Sequence, residues 1–328
     1  MRVLFIYRHP DMGYSIGKVF RPIETEMKKY AEVVSVYMPV PDYSIKGLWK
    51  NITVARDAVK NNHYDIVHIT GTEHYLIPFL CGENIVVTVH DLGHLFNLHG
   101  LRRLKFWFLQ VYSLKFAKAV TCISDFTVQE LNKAISIATE KVHVIPNEIG
   151  ADFVLKKKIF NETSPVVLHI GTRPHKNLSR TIKALKDIDC RLRIIGDIPD
   201  SDVKLLEKYN VIYSSISNLS DRELIEEYYR ADIINFPSLH EGFGMPIIEG
   251  QVVGRLVITS DMEPMKSIAG EGAILCNPYE TGSIRNAYLK GINDRNYRES
   301  IIKSGLENVE KYRLENITKQ YLELYKLL

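Results

Sequence analysis

The feature that most constrains this chain is a rhythm. Apolar runs of strand length alternate with helical periodicity from end to end, and the rhythm lapses once near the middle and restarts. In the first half the runs begin at Val3 (VLFIY), Val33 (VVSVYM), Asp65 (DIVHIT), Ile85 (IVVTV), Ala119 (AVTCIS) and Lys141 (KVHVIP). In the second they begin at Pro165 (PVVLHIG), Cys190 (CRLRIIG), Asn210 (NVIYSS), Ala231 (ADIINFP), Arg255 (RLVITS) and Gly272 (GAILCNP). Runs that are apolar throughout belong to strands covered on both faces, and helices between them are the crossovers of a parallel sheet. The expected class is α/β, with two doubly wound, Rossmann-like domains in tandem. The polar stretch from Gly150 to Pro165, with Lys156, Lys157 and Lys158, reads as the linker.

At 328 residues the chain can bury two cores of ordinary size. After Thr281 only helical patterns remain, and the last, NITKQYLELYKLL, sets Ile317, Tyr321, Leu322 and Tyr325 on one face. Such a helix needs a surface to cover, which the first domain could provide. The expected division is 1–155 with a returning helix at 312–328, and 156–311. A formal charge of +3 is too small for a nucleic-acid partner, so any anion site must be local. Cys81, Cys122, Cys190 and Cys276 lie far apart with no CxxC pair, as in a cytosolic protein with reduced thiols. The opening MRVLFIYRHP is a strand, too short for a signal sequence, and no window approaches the ~20 apolar residues of a membrane span. The expected location is cytoplasmic.

Chemistry concentrates in Ser238–Gly254, SLHEGFGMPIIEGQVVG. Gly242 and Gly244 let the backbone approach a ligand closely, and Pro246 suits a helix start. The N–H groups of that helix end suit an anion, and Glu249 can accept two hydroxyl hydrogen bonds, as a ribose diol offers. Glu241 lies before the turn. By itself the pair is equally readable as two ordinary helix-start acids. A second junction, GTRPHKNLSRTIKAL after the strand at Pro165, carries Gly171, Thr172, Arg173 and Lys176 before a helix near Asn177. Helix ends favour anions by ~0.3–1 kcal/mol and charge-assisted hydrogen bonds add ~1.5–3 kcal/mol each, so cations beside a helix start make a phosphate site.

Together, GTRPHKN, LSDRELIEEYYRADIINFPS and FPSLHEGFGMPIIEG resemble the donor domain of retaining glycosyltransferases of family 4, which have the GT-B fold. The match covers essentially the second half. It implies two Rossmann-like domains facing a central cleft, and transfer of a sugar from a UDP- or GDP-linked donor to a glycan or lipid-linked acceptor of surface polysaccharide or glycoconjugates. It implies that Arg173 and Lys176 meet the diphosphate, that Glu241 faces the donor sugar and that Glu249 holds ribose. Backbone around Gly242, Phe243, Gly244 and Met245 would complete the phosphate site, and the base would lie near Ser217 and Asn218. No metal or other cofactor is required, since the two cations serve the diphosphate. Asp187 with Asp189, and Asp200 with Asp202, spell the DxD of metal-dependent transferases but fall at a helix end and a helix start, where Asp is ordinary.

The first half resembles the acceptor domain more weakly. VTVHDLGH puts His90 and Asp91 at a strand end, where the family often has a histidine near the donor sugar. His94 makes no metal pair with it, because Gly93 interrupts any helix and a third ligand is lacking. HPDMGYSIGKVF stands where the family has a glycine-rich loop, though Gly13 and Gly17 are not adjacent. LRRLKFWFLQVYSLKFAK, residues 101–118, mixes Arg102, Arg103, Lys105, Lys115 and Lys118 with aromatics. It reads first as a core helix with a cationic edge, and second as a contact with an anionic membrane. Rival functions are a GT-B epimerase or phosphorylase, or a noncatalytic nucleotide-sugar-binding module.

Overall fold

The computed structural model describes all residues except 13, 14, 61, 81, 94, 96 and 97, and the backbone alone of 15 and 16. Gly13, Cys81 and His94 thus lie outside the described residues. The chain divides into two compact units, Met1–Gly150 with Tyr312–Leu328, and Ala151–Lys311.

The first unit contains β1 (Arg2–Tyr7), β2 (Glu32–Tyr37), β3 (Ile66–Ile69), β4 (Ile85–Val89), β5 (Ala119–Cys122) and β6 (Val142–Val144). They form a parallel sheet in the order β2-β1-β3-β4-β5-β6. In β1, Val3, Leu4, Phe5 and Ile6 are all fully buried, yet they face two ways. Leu4 and Ile6 join Val67, Val87 and Val120 in one layer, whereas Val3 and Phe5 join Ile66 and Val86 in the other. This is the two-residue period of a strand with cover on both faces. The second layer is closed by Phe20, Ile23 and Met27 of the helix Ser15–Met27 and by Ile317, Tyr321, Leu322 and Tyr325 of the helix Leu314–Lys326. His68 in β3 sits fully buried beneath it, with Nδ1 at 2.5 Å from the Tyr325 hydroxyl and Nε2 at 2.8 Å from Thr88 Oγ1. Loss of solvation lowers its pKa to about 3, so the ring is neutral.

The second unit contains β7 (Val166–Ile170), β8 (Arg191–Ile195), β9 (Tyr213–Ile216), β10 (Ile233–Phe236), β11 (Leu256–Ser260) and β12 (Ile274–Cys276). Their order is β12-β11-β10-β7-β8-β9, again parallel. The strand expected from Asn210 starts only at Tyr213. Asn210 takes the left-handed conformation (φ 50°), and the Val211 N–H bonds back to the Leu206 carbonyl at 3.0 Å, finishing the preceding helix. The polar stretch before β7 has no regular structure. It is tied to this unit by Asp232, which receives Lys158 and the N–H groups of Asn161 and Val166, and by Arg255, which bonds the Lys156 carbonyl at 2.7 Å.

In each sheet the winding reverses once, between β1 and β3 and between β7 and β10. Loops leaving the carboxyl ends of two such strands run apart, and the crevice they leave is where open α/β sheets take ligands.

Candidate functional site

The second unit's switch point carries the motif residues. Beyond β7, Gly171 adopts φ 87°, and a Cβ there would lie 3.2 Å from Lys176 Cγ, so the glycine lets the lysine stem lie across the turn. Thr172 is packed against Gly196 at the end of β8, where a Cβ would come within 3.1 Å of its Oγ1. Pro174–Lys176 form one 3₁₀ turn, and Asn177, left-handed at φ 66°, opens the helix Leu178–Ala184. The buried Asn177 side chain donates to the carbonyls of Pro237 (3.0 Å) and Pro278 (2.7 Å). The Leu239 N–H donates to the His175 carbonyl at 2.8 Å. These bonds stitch the loop after β7 to the loops after β10 and β12.

That stitching brings Lys176 and Glu241 together, Nζ to Oε1 at 2.7 Å, with the two side chains 18% and 15% exposed. Lys176 Nζ also stands 4.7 Å from the centroid of the Phe236 ring, whose face favours a cation. The neighbouring His175 has its pKa lowered, by burial first and by Lys176 and Arg173, against the opposing pull of Glu241. Arg173 is exposed on the same turn. Gly244, at φ 115°, opens the helix Met245–Val252, in which Pro246 occupies the second position. Phe243 is buried beside it, while Gly242 and Met245 are half-buried. Because the helix starts at Met245, Glu249 falls just past its first turn rather than on it. Its Oε2 accepts the hydroxyl of Tyr228, a fully buried residue on the helix Asp221–Arg230. Ser217 and Asn218 leave β9 at the same sheet edge, Asn218 in the left-handed conformation.

In the first unit, His90 leaves β4 and its Nε2 donates to the Thr70 carbonyl at 2.9 Å, which makes Nδ1 the acceptor of the neutral ring. Burial lowers its pKa, with the Thr70 contact and Asp91 opposing and Arg8 adding to the depression. Asp91 is exposed and accepts the Gly93 N–H at 3.2 Å. The expected glycine-rich loop is not one at Gly17, which lies inside the helix Ser15–Met27 with ordinary contacts for a Cβ. At the switch point of this sheet Glu73 is 2% exposed, and its Oε2 meets no hydrogen-bond donor among the described residues. Burial raises its pKa to about 7, against the countering charge of Arg8.

Residues 101–118 do not form the single core helix expected first. The helix Gly100–Phe106 buries no residue, and the chain then widens through a π segment, Trp107–Val111, and tightens into a 3₁₀ turn, Tyr112–Phe116. The Gln110 carbonyl is drawn off to His74 Nδ1 at 2.7 Å. Leu101, Leu104, Phe108 and Phe116 are exposed among Arg102, Arg103, Lys105 and Lys115. No helix among the described residues is long and apolar enough to cross a membrane. Of the DxD pairs, Asp202 is buried and accepts the Ser179 hydroxyl, and Asp187 is a left-handed turn residue (φ 56°). Sequence reasoning missed Asn177, Tyr228 and Glu73, whose partners or surroundings lie elsewhere in the chain.

A family model for glycosyl transferases group 1 matches residues 152–308, and one for glycosyltransferase family 4 matches residues 15–152. The O-antigen chain mannosyltransferase B of Escherichia coli is 24% identical over 274 residues, covering 75% of this chain and 71% of that protein. The O-antigen chain mannosyltransferase RfbU of Salmonella typhimurium is 29% identical over 226 residues, covering 66% of this chain and 62% of that protein. Among solved structures, a sucrose-phosphate synthase from Thermosynechococcus elongatus superposes with a TM-score of 0.82 at 17% identity, over 100% of this chain and 98% of the other.

Proposed function

The chain belongs to the group 1, family 4 glycosyltransferases, enzymes of the GT-B fold that draw on nucleotide-sugar donors, and we propose that it transfers a mannosyl group from a nucleoside diphosphate donor to a growing surface glycan, with retention at the anomeric carbon. The mannosyl and O-antigen part of this reading comes from the names of the relatives. The observation that carries the rest is the Lys176–Glu241 pair, 2.7 Å apart at the switch point of the second sheet. It sets an ammonium group, which suits a phosphate, beside a carboxylate, which suits sugar hydroxyls.

In the reaction the bond between the anomeric carbon and the leaving phosphate breaks while an acceptor hydroxyl oxygen bonds to that carbon from the same face. The hydroxyl proton passes to the departing phosphate. Charge grows on that phosphate, and Lys176, Arg173 and the N–H groups of Gly242–Met245 are the groups to meet it. Glu241 orients the sugar hydroxyls, Glu249 binds ribose, Ser217 and Asn218 flank the base, and Gly171 and Thr172 shape the turn beneath. In the first unit, His90 offers Nδ1 as an acceptor suited to a sugar hydroxyl. Thermal shift with GDP, UDP, GDP-mannose and UDP-glucose tests this. A ligand bound only by the native state raises its melting temperature, so one of the diphosphates should stabilise the protein and Lys176→Met should abolish the shift. Stabilisation by none of the four overturns the proposal.

The exposed apolar and basic side chains of 101–118 favour a further element: the acceptor is lipid-linked and this face rests on anionic lipid. Flotation with phosphatidylglycerol vesicles should carry the protein upward, and Leu101→Ser with Leu104→Ser should leave it at the bottom. Failure to float the unmodified protein removes this element.

A further inference from the structure

Glu249 does not stand alone. Tyr228, 21 residues earlier and on the helix that precedes β10, donates its hydroxyl to Glu249 Oε2. The tyrosine is fully buried, and the ring of Phe153 meets it edge-on at 5.3 Å and 89°. A ring packed in this way has one position for its hydroxyl. The carboxylate is half-buried on the helix Met245–Val252, and with one oxygen held by a fixed donor the plane of the group is set as well.

We propose that Tyr228 is a positioning residue for the nucleotide: through its hydroxyl it holds the Glu249 carboxylate in the orientation that accepts both hydroxyls of the donor's ribose. This rests on the reading of Glu249 as the ribose ligand. The phenol serves as a permanent donor, because burial and the adjacent carboxylate charge raise its pKa well above the ordinary value. A diol needs two acceptor lone pairs at fixed spacing, so a carboxylate free to rotate loses one of the two bonds for much of the time. The tyrosine restricts that rotation without touching the ligand. Within the unit this gives the ribose end of the site a rigid support of its own, separate from the loop stitching that supports Lys176 and Glu241.

The test compares UDP and GDP with their 2′,3′-dideoxy forms by calorimetry. Tyr228→Phe keeps the ring and removes one oxygen. It should weaken the bound diphosphate about ten- to hundredfold, as loss of one hydrogen bond to a charged group implies. It should leave the dideoxy form unchanged. Glu249→Gln should weaken the diphosphate further, and the double variant should bind no worse than Glu249→Gln alone, since both act through one contact. Glu249→Asp, which withdraws the carboxylate from hydroxyl and ribose alike, should lose the ribose preference with the tyrosine intact. Equal weakening of both ligand forms by Tyr228→Phe overturns the proposal, because the residue then acts through the fold. If Glu249→Gln leaves diphosphate binding unchanged, the ribose assignment fails instead. If the unmodified protein binds neither diphosphate, both fail.

Discussion

Each unit buries a strand histidine in its core, and the two are held in different ways. His68 in β3 is bonded to Thr88 and to Tyr325, a residue 257 positions away at the end of the chain. His169 in β7 is bonded through Nδ1 to Asn235 at 2.8 Å, and Asn235 reaches Thr181 (3.0 Å) and Tyr288 (2.5 Å), all within residues 151–311. Burial lowers both pKa values to about 3. The first network therefore ties the terminal helix to the sheet, whereas the second is internal to one continuous segment. The switch points differ too. Beside β7 and β10 a lysine and a glutamate face each other half-buried, and beside β1 and β3 a glutamate countered by Arg8 is sealed in, one of its oxygens without a donor among the described residues. Two sheets wound alike thus carry unlike equipment, and chemistry follows the side chains at the reversal rather than the winding.

The comparison can be broken or sharpened by substitution. The largest effect belongs to the second switch point. Lys176→Met should lower kcat by roughly 10²–10³ while urea unfolding of the second unit hardly changes, as expected of a group that meets charge developing in the transition state. A full-rate Lys176→Met enzyme would place the chemistry elsewhere. Next comes Glu73. Its pKa is about 7 in the native state and 4.5 when unfolded, so the folded protein bears the cost of a buried charge above pH 7. Glu73→Gln should then stabilise the first unit by up to ~3 kcal/mol at pH 8. The gain should shrink as pH falls through 7 and vanish below 4.5, where both states of the native residue are protonated. Urea melts at pH 8 and pH 5 measure the difference, and equal gains at both would contradict the sealed carboxylate. The smallest effect is Tyr325→Phe, which removes the hydroxyl bonded to His68. It should cost about 1 kcal/mol, and amide exchange should locate the loss in the first unit. Faster exchange in β7 and β10 instead would mean that the units do not divide as their networks do.

Much of this architecture was legible beforehand. The strand runs and the helical stretches between them follow from apolar patterning, which acts locally, and the face of Ile317, Tyr321, Leu322 and Tyr325 did announce a helix with a surface to cover. GTRPHKN and EGFGMPIIE were legible for a similar reason: a turn that needs Gly171 or Gly244 in the left-handed region restricts its neighbours within a few residues. Residues 101–118 were less so. Their mixed apolar and basic pattern fits a helix throughout, and only the His74 bond to the Gln110 carbonyl, a contact across 36 positions, marks where the ladder breaks. Glu73, Asn177 and Tyr228 carry no local signal at all. A glutamate, an asparagine and a tyrosine at such positions are ordinary until their surroundings are known.

By itself, then, the sequence determined the class, the number of sheets, the sites of the tight turns and the residue types at the phosphate-like junctions. The tertiary structure alone decided that β7 lies beside β10, and hence that Lys176 meets Glu241 across 65 positions while Tyr228 reaches Glu249 from another helix. The physical reason is range. Periodicity and turn chemistry are short-range preferences written along the chain, whereas strand order and the pairing of polar groups are set by burying apolar faces and satisfying hydrogen bonds over the whole unit at once.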